Sequence, residues 1–239
     1  MPRFFLEKMN TETPVITGSD ARHIGFSLRM KPGELLTVCA EGTDYKCSIN
    51  KITEDAVFLD ILESRLCAAE PSVELTLYQA VPKLDKLETI IQKSVELGAS
   101  KIVPVLTRRC ISRPKPKDFA KKLERLNKIA LEAAKQSGRG IIPEVMPIID
   151  FKTAVSQMAE TECPIMLYEE GGVRFSELKT EGKKSFSLLI GSEGGFDPEE
   201  AELAKSAGIN TVWLGERILR CETAPLTAIS ILMYITKNL

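Results

Sequence analysis

Two glycine-bearing stretches in the last third of the chain constrain its fold more than any other feature. The first, residues 186–200, reads FSLLIGSEGGFDPEE; the second, residues 211–235, reads TVWLGERILRCETAPLTAISILMYI. Each begins with a short apolar run, 186–190 and 212–214, of the length and composition of a buried strand. Each run ends at a glycine, Gly191 or Gly215. A helix start then follows. Asp197 with Pro198 supplies a cap and a first-turn proline, and Thr223 with Pro225 reads the same way. Strand, glycine loop, helix is the unit with which an open α/β sheet builds a ligand crevice at the carboxyl ends of its strands.

The loops also exclude ligands. Residues 191–195, GSEGG, lack the lysine of a phosphate-binding loop and the spacing of a dinucleotide fingerprint. Glu193 would repel a pyrophosphate. A nucleoside carrying a cation suits such a loop better, and S-adenosylmethionine, with its sulfonium, is of that kind.

The rest of the chain divides near residue 70. Residues 1–70 read as small and β-rich. Asp20 can cap a short helix running through Arg29, and 31–33 turns out of it. Segments 34–40, 45–50 and 56–62 are strand-like, and short strands at close spacing predict a small barrel. Residues 66–72 make the best linker. After it the pattern alternates. A strand over 73–81 leads to a helix over 84–97, with Leu84, Leu87, Ile91 and Val95 on one stripe and Gly98 closing it. A strand over 101–106 leads to a helix over 117–136, with Phe119, Leu123, Leu126, Ile129 and Ala133 inward. Further strands are expected at 164–168, 186–190 and 211–214. This predicts an α/β fold whose second domain, 73–239, is a parallel sheet with helices on both faces. The last helix, 225–237, is apolar nearly all round, so it is either core or a homodimer interface.

Composition narrows the partners. The 239 residues suffice for one large or two small domains. The amino terminus has no apolar run of signal-peptide length, and the longest uncharged stretch near the end, 223–236, is shorter than the ~20 residues a membrane span needs. A cytoplasmic protein without membrane contact is expected. The six cysteines form no C-x-x-C, and His23 is the only histidine, so neither zinc nor disulfides are expected. Most of the cysteines read as small buried hydrophobes. Cys110, beside Arg108 and Arg109, is the one with a thiolate-favouring neighbourhood. Net charge is −1, yet 101–139 holds twelve Lys and Arg against three Asp and Glu. A basic block on an acidic body can hold a phosphate backbone. Arg108, Arg109 and Arg113 follow a strand and are better RNA candidates than the helical lysines.

The stretches IGSEGGF and LGERILRCETAPLTA resemble the signature of the RsmE family, SPOUT-class methyltransferases acting on 16S rRNA. The resemblance continues in Met1-Pro2-Arg3-Phe4-Phe5, in His23-Ile24 with Leu28-Arg29, in Lys86-Leu87-Glu88 with Lys93 and 96–98, and in 136–139, so it spans the chain. Ser192 stands where the family usually has proline, and Cys221 where it has threonine. The resemblance implies a PUA-like barrel over 1–70, a SPOUT domain over 73–239 with a carboxyl-terminal trefoil knot, and a homodimer. It implies methyl transfer from S-adenosylmethionine to N3 of a uridine, m3U1498, of the small ribosomal subunit.

The chemistry then assigns roles. Uracil N3 carries a proton and is a poor nucleophile while neutral. Arg220 could stabilise the developing anion, and Glu222 or Glu193 could take the proton or hold Arg220. A helix-terminal ion pair for Arg220 and capping by Glu222 are the structural alternatives. The cofactor is expected among Leu167, Tyr168, Gly191, Gly194, Gly195, Leu214, Gly215, Ile218, Leu219, Thr223 and Ala224. RNA contacts are expected from Arg3, Arg22, His23, Arg29, Lys31, Arg108, Arg109, Arg113 and Arg139. A SPOUT enzyme acting on tRNA, or a non-catalytic RNA-binding assembly factor, would share most of these features.

Overall fold

Short strands joined by tight turns close the amino-terminal region into one five-stranded sheet. Its strands are β1 (Arg3–Phe5), β2 (Val15–Thr17), β3 (Leu35–Ala40), β4 (Thr43–Ile52) and β5 (Ala56–Leu66), in the order β1-β3-β4-β5-β2. β1 runs parallel to β3 and the other pairs are antiparallel. Register shifts at Lys46/Cys47 and Ile49/Lys51 bend the long β4–β5 ribbon, and bulges of this kind curl a sheet over its own core. Phe4, Ile16, Leu36, Val38, Ile49 and Val57 fill the interior. The computed structural model describes residues 1–239, the side chain of Pro116 excepted. It separates into two compact units, Met1–Glu70 with Ala134–Ile141, and Pro71–Ala133 with Ile142–Leu239.

Two local expectations change in the first unit. The helix expected over 20–29 is an α-helix, α1, only over Gly18–Arg22; it continues as a π-turn over His23–Ser27. The Leu28 amide donates to the His23 carbonyl five residues back, at 2.9 Å. Arg29, at φ 53°, ends the segment in a left-handed conformation. β5 outruns its predicted end because Leu66 still pairs with Thr43. A ladder with a partner overrides local propensity.

Two arginines expected at RNA are instead inside this unit. Arg139 is 3% exposed and grips Glu70 through two bonds of 2.8 Å. The Gly140 and Ile141 amides donate to the same carboxylate at 2.7 and 3.0 Å. Burial pushes the Glu70 carboxyl up, but Arg139 and the two amides outweigh it and leave it below the usual range. Arg3 grips Asp44 in the same way at 2.7 and 2.9 Å and donates to the Arg139 carbonyl at 3.1 Å. A phosphate would have to displace a carboxylate from either guanidinium, so Arg3 and Arg139 are corrected from RNA contacts to internal braces.

The second unit is a parallel sheet. Its strands are β6 (Glu74–Ala80), β7 (Lys101–Leu106), β8 (Glu144–Val145), β9 (Ile149–Asp150), β10 (Cys163–Leu167), β11 (Ser185–Ile190) and β12 (Asn210–Val212). The order is β12-β10-β11-β6-β7-β8, with β9 also on β7, and every pair is parallel. Burial on both faces explains why β10 and β11 are largely apolar; the buried polar side chain among them, Ser187, shares a hydrogen bond with Thr161 at 2.8 Å. The connecting helices are α2 (Lys86–Glu96), α3 (Pro116–Ser137), α4 (Phe151–Met158) and α5 (Pro198–Ser206); α6 (Thr223–Ile235) follows β12. β6 leads outward to β7 on one side while β11 lies on its other side. That reversal leaves a crevice at the strands' carboxyl ends.

Several details differ from expectation. Leu84 is 83% exposed, at φ 57°, because α2 starts two residues later; Ile90 is buried on the helix instead. The cap expected of Thr223 is absent: Glu222 holds the N-cap position of α6 without a side-chain bond, and Pro225 packs inside the first turn. By contrast, Asp197 and Glu200 form the reciprocal box that begins α5. One face of α6 is buried, through Ala228, Ile229, Leu232 and Met233, while Tyr234 is 72% exposed. All six cysteines are free and buried, Cys110 among them, so the neighbourhood of Arg108 and Arg109 does not give it an exposed thiol.

Candidate active site

Three loops wall one cleft of about 460 Å³, a volume typical of small-molecule sites. The loop after β10 contributes Leu167, Tyr168 and Glu169. The loop after β11 contributes 191–196. The long connection from β12 to α6 contributes Leu214, Gly215, Ile218, Leu219, Arg220 and Ala224. Of the residues expected to hold a cofactor, only Thr223 is outside the lining. It is the first residue of α6 and its amide is tied to the Arg220 carbonyl at 2.8 Å.

Two glycines are required by geometry. Gly195 has φ +64°, and a side chain there would run into the Glu169 carboxylate. Its amide closes a tight turn on the Ser192 carbonyl at 3.0 Å. Gly215 has φ +108° with open space around it, so its requirement is conformational rather than steric. Ser192, where proline is usual in the resembled family, keeps this turn and donates its hydroxyl to the Arg109 carbonyl at 3.4 Å.

The electrostatic centre is a residue that the sequence reading left out of the site. Lys86, at the start of α2, reaches Glu193 at 3.1 Å and Glu222 at 3.0 Å. The Lys83 amide also donates to Glu193, at 3.1 Å. The bonds to Glu222 and then Glu193 raise the Lys86 ammonium above its ordinary range. Lys86 in turn holds the Glu222 carboxyl below the usual range. For Glu193, burial pushes up, but its own amide, Lys86 and the Lys83 amide prevail and leave it low. Cys221 donates to Glu222 at 3.3 Å, and burial followed by that carboxylate pushes its thiol up to about 12. Glu193 lines the cleft, while Glu222 stands behind the lining. Arg220 lines it too and, among the described residues, makes no ion pair.

Other side chains also line the cleft. Trp213 carries the Arg174 guanidinium 5.6 Å from its ring centroid. Tyr168 donates its hydroxyl to Glu170 at 2.8 Å, and burial together with that bond pushes the phenol up to about 12. Arg217 and Phe196 complete the wall.

Comparison with known proteins gives this cleft its context. A family described as RNA methyltransferase domain matches residues 69–233, and one described as RNA methyltransferase PUA domain matches 16–62. Ribosomal RNA small subunit methyltransferase E of Bacillus subtilis (strain 168) is 36% identical, covering 100% of this chain and 98% of its own. This chain belongs to the ribosomal RNA small subunit methyltransferase E family. A structure of a family member from Neisseria gonorrhoeae, bound to S-adenosyl methionine, superposes with a TM-score of 0.87 at 31% identity and covers 98% of both chains. A methyltransferase of Legionella pneumophila, in complex with the bound cofactor SAM, gives 0.84 at 30% identity over 98% of this chain and 97% of that one.

Within this family fold, the remaining basic candidates fall into two groups. Arg22, His23, Arg29 and Lys31 are exposed on the first unit; Arg22 pairs with Asp55 at 3.0 Å, both in solvent. In the second unit, the loop after β7 carries three arginines. Arg108 is exposed and reaches Asp197 at 3.1 Å and Glu199 at 2.6 Å. Arg109 donates to the Gly194 carbonyl at 3.1 Å, which puts it against the cleft's glycine loop. Arg113 is turned back onto the Thr107 and Arg108 carbonyls at 2.6 and 3.0 Å and braces its own loop. No helix among the described residues is long and apolar enough to cross a membrane.

Proposed function

We propose that this chain methylates N3 of one uridine in 16S rRNA, the m3U1498 position that the family resemblance implies. The coarser statement rests on family membership: the chain is an S-adenosylmethionine-dependent methyltransferase of small-subunit rRNA. The observation that carries the finer reading is Arg220, an unpaired guanidinium in the wall of a glycine-built cleft.

The cleft fits the cofactor. Its volume, the close backbone approach at Gly191, Gly194 and Gly195, and apolar Leu167, Leu214, Ile218 and Leu219 suit a nucleoside. Tyr168, Gly215 and Ala224 complete the residues that would hold it. When bound, S-adenosylmethionine supplies a methyl group on a sulfonium, a leaving group that needs no metal.

This chain's own residues must make uracil N3 reactive. As the N3 proton leaves, charge spreads onto O2 and O4, and a fixed guanidinium stabilises it. Arg220 takes that role. Glu193 and Glu222 are ionised and weakly basic: Lys86 holds Glu222 below the ordinary carboxylate range, and Glu193's own amide together with Lys86 and the Lys83 amide holds Glu193 there. A weakly basic carboxylate is a poor proton acceptor. Their role is to anchor Lys86, and through it the two loops that wall the cleft.

The remaining assignments belong to the same proposal. The first unit binds RNA through Arg22, His23, Arg29 and Lys31, and the second does so through Arg108 and Arg109. The chain acts in the cytoplasm as a homodimer, supported by the half-exposed apolar residues Leu226, Ile231 and Ile235 of α6. Its carboxyl-terminal segment forms the trefoil knot of the resembled family.

The test is transfer of labelled methyl from S-adenosylmethionine to purified small subunits, naked 16S rRNA and bulk tRNA, all from cells lacking this protein. Label in the small subunits supports the proposal. Label in tRNA alone overturns the substrate. No label, with no cofactor binding by calorimetry, leaves an RNA-binding assembly factor.

A further inference from the structure

The π-turn of the first unit presents an aromatic ring to solvent. Phe26 is 67% exposed. Its neighbours on the other side of the turn, Ala21 and Ile24, are 1% and 0% exposed in the unit's core. The ring is therefore displayed by an anchored backbone rather than by a loose loop. The backbone here is also unusual. π-turns are rare and recur at functional sites, and this one ends at Arg29 with φ 53°.

The surroundings indicate what the ring meets. Residues 22–31 contain Arg22, Arg29 and Lys31 and no acidic residue. All three basic side chains are exposed, as is His23. Arg22 is held by Asp55, a solvent-exposed pair that a phosphate can replace at small cost. The Lys31 amide is fixed by Glu34 at 3.1 Å. An apolar ring among cations is the wrong chemistry for a protein core and the right chemistry for a splayed nucleotide. Its base has a face to stack and its two phosphates have charges to meet.

We infer that Phe26 is a stacking platform for one unpaired base of the RNA substrate, flanked by phosphate contacts from Arg29 and Arg22. This rests on the rRNA methyltransferase reading and assigns a base contact where that reading had only phosphate contacts. The contact is to a base face, so it is tolerant of which base is presented.

The test uses the full chain and two separate readouts. Binding to small subunits from cells lacking the protein, and to naked 16S rRNA, is measured without methyl transfer; turnover is measured on the same subunits. Phe26→Ala, checked for an unchanged melting temperature, is expected to weaken binding to both by about 5- to 150-fold, the range for loss of one stacked base. Phe26→Trp should bind within a few-fold of wild type. Cofactor affinity and saturated turnover should not change. Phe26→Ala should leave the salt dependence of binding as it is, whereas Arg29→Ala should reduce its slope by about 1. Equal binding by Phe26→Ala and wild type overturns the platform, whatever the activity. Weakened binding to subunits with unchanged binding to naked rRNA also overturns it, because the ring would then face a ribosomal protein. Weakened binding in a protein that transfers no methyl would keep the platform and sink the enzyme reading instead.

Discussion

The chain sets cations against carboxylates in two places, and the two clusters end differently. In the first unit, Arg139 and Glu70 close on each other, with two backbone amides completing the carboxylate's bonds. Nothing is left over for a ligand. In the second unit, Lys86 is shared between Glu193 and Glu222, partly open to solvent, in the wall of a cleft. The first fastens residues 134–141 to the unit they group with. The second ties a helix start to the two loops that carry Glu193 and Glu222. Charge identity alone does not separate structural from functional ion pairs. Burial and unfilled neighbouring space do.

The comparison can be broken by substitution. Arg139→Ala leaves the half-buried Glu70 carboxylate with only its two backbone amides, and should destabilise the protein by about 3 kcal/mol. Thermal or denaturant unfolding checks this. A loss below about 1 kcal/mol would place this pair with ordinary surface bridges.

Arg220→Ala should leave melting unchanged and lower turnover by about 10²–10³-fold, the scale for removing a group that stabilises a developing anion. Cofactor affinity, measured by calorimetry, should stay within a few-fold of wild type. A parallel fall in affinity would make Arg220 a binding residue instead.

Lys86→Met should weaken cofactor binding by about tenfold with little change in melting temperature, since it frees two loops at the cleft while costing a part-exposed pair. Lys86→Arg should recover part of the loss. If Lys86→Met instead melted as early as Arg139→Ala, the distinction between the clusters would fail.

The smallest effect is in acid. Glu70, Glu193 and Glu222 all lie below the ordinary carboxylate range when folded. Their stabilisation is therefore complete above about pH 4.3, the ordinary glutamate value, and is lost as pH falls through the folded values. Unfolding free energy measured downward from pH 5 should decline less steeply in Glu70→Gln than in wild type. An identical slope would mean that Glu70 is not held low by Arg139.

Much of the second unit was legible in sequence, and the reasons are particular. β10 and β11 announce themselves because strands buried on both faces are mostly apolar. The Asp197–Glu200 box is a local motif with local geometry. The paired strands β8 and β9, two residues each, are below the length at which any period can be read. α4 was missed although Phe151, Ala154, Val155 and Met158 carry a helical stripe. Its eight residues lie between the expected helix over 117–136 and the expected strand over 164–168, a stretch to which no element is assigned from the sequence. The cleft's glycine and apolar walls were readable from the two motifs, since they lie within them. Lys86 was not, because its partners lie 107 and 136 positions away and only the fold brings them to one ammonium. Arg3 and Arg139 were misread for the complementary reason. A basic residue gives no sign in the sequence that a carboxylate elsewhere in the fold has already taken it.

The most direct test of the account is the identity of the modified nucleoside. 16S rRNA methylated in small subunits by wild-type protein would be digested and the labelled nucleoside isolated. Methylation at N3 removes the only ionisable ring proton of uridine, so the account predicts one labelled uridine whose ultraviolet spectrum no longer shifts in alkali. It also predicts that Arg220→Ala yields the same nucleoside far more slowly. A labelled uridine that still shifts in alkali, or label on another base, would contradict the chemistry assigned to Arg220 and the cleft.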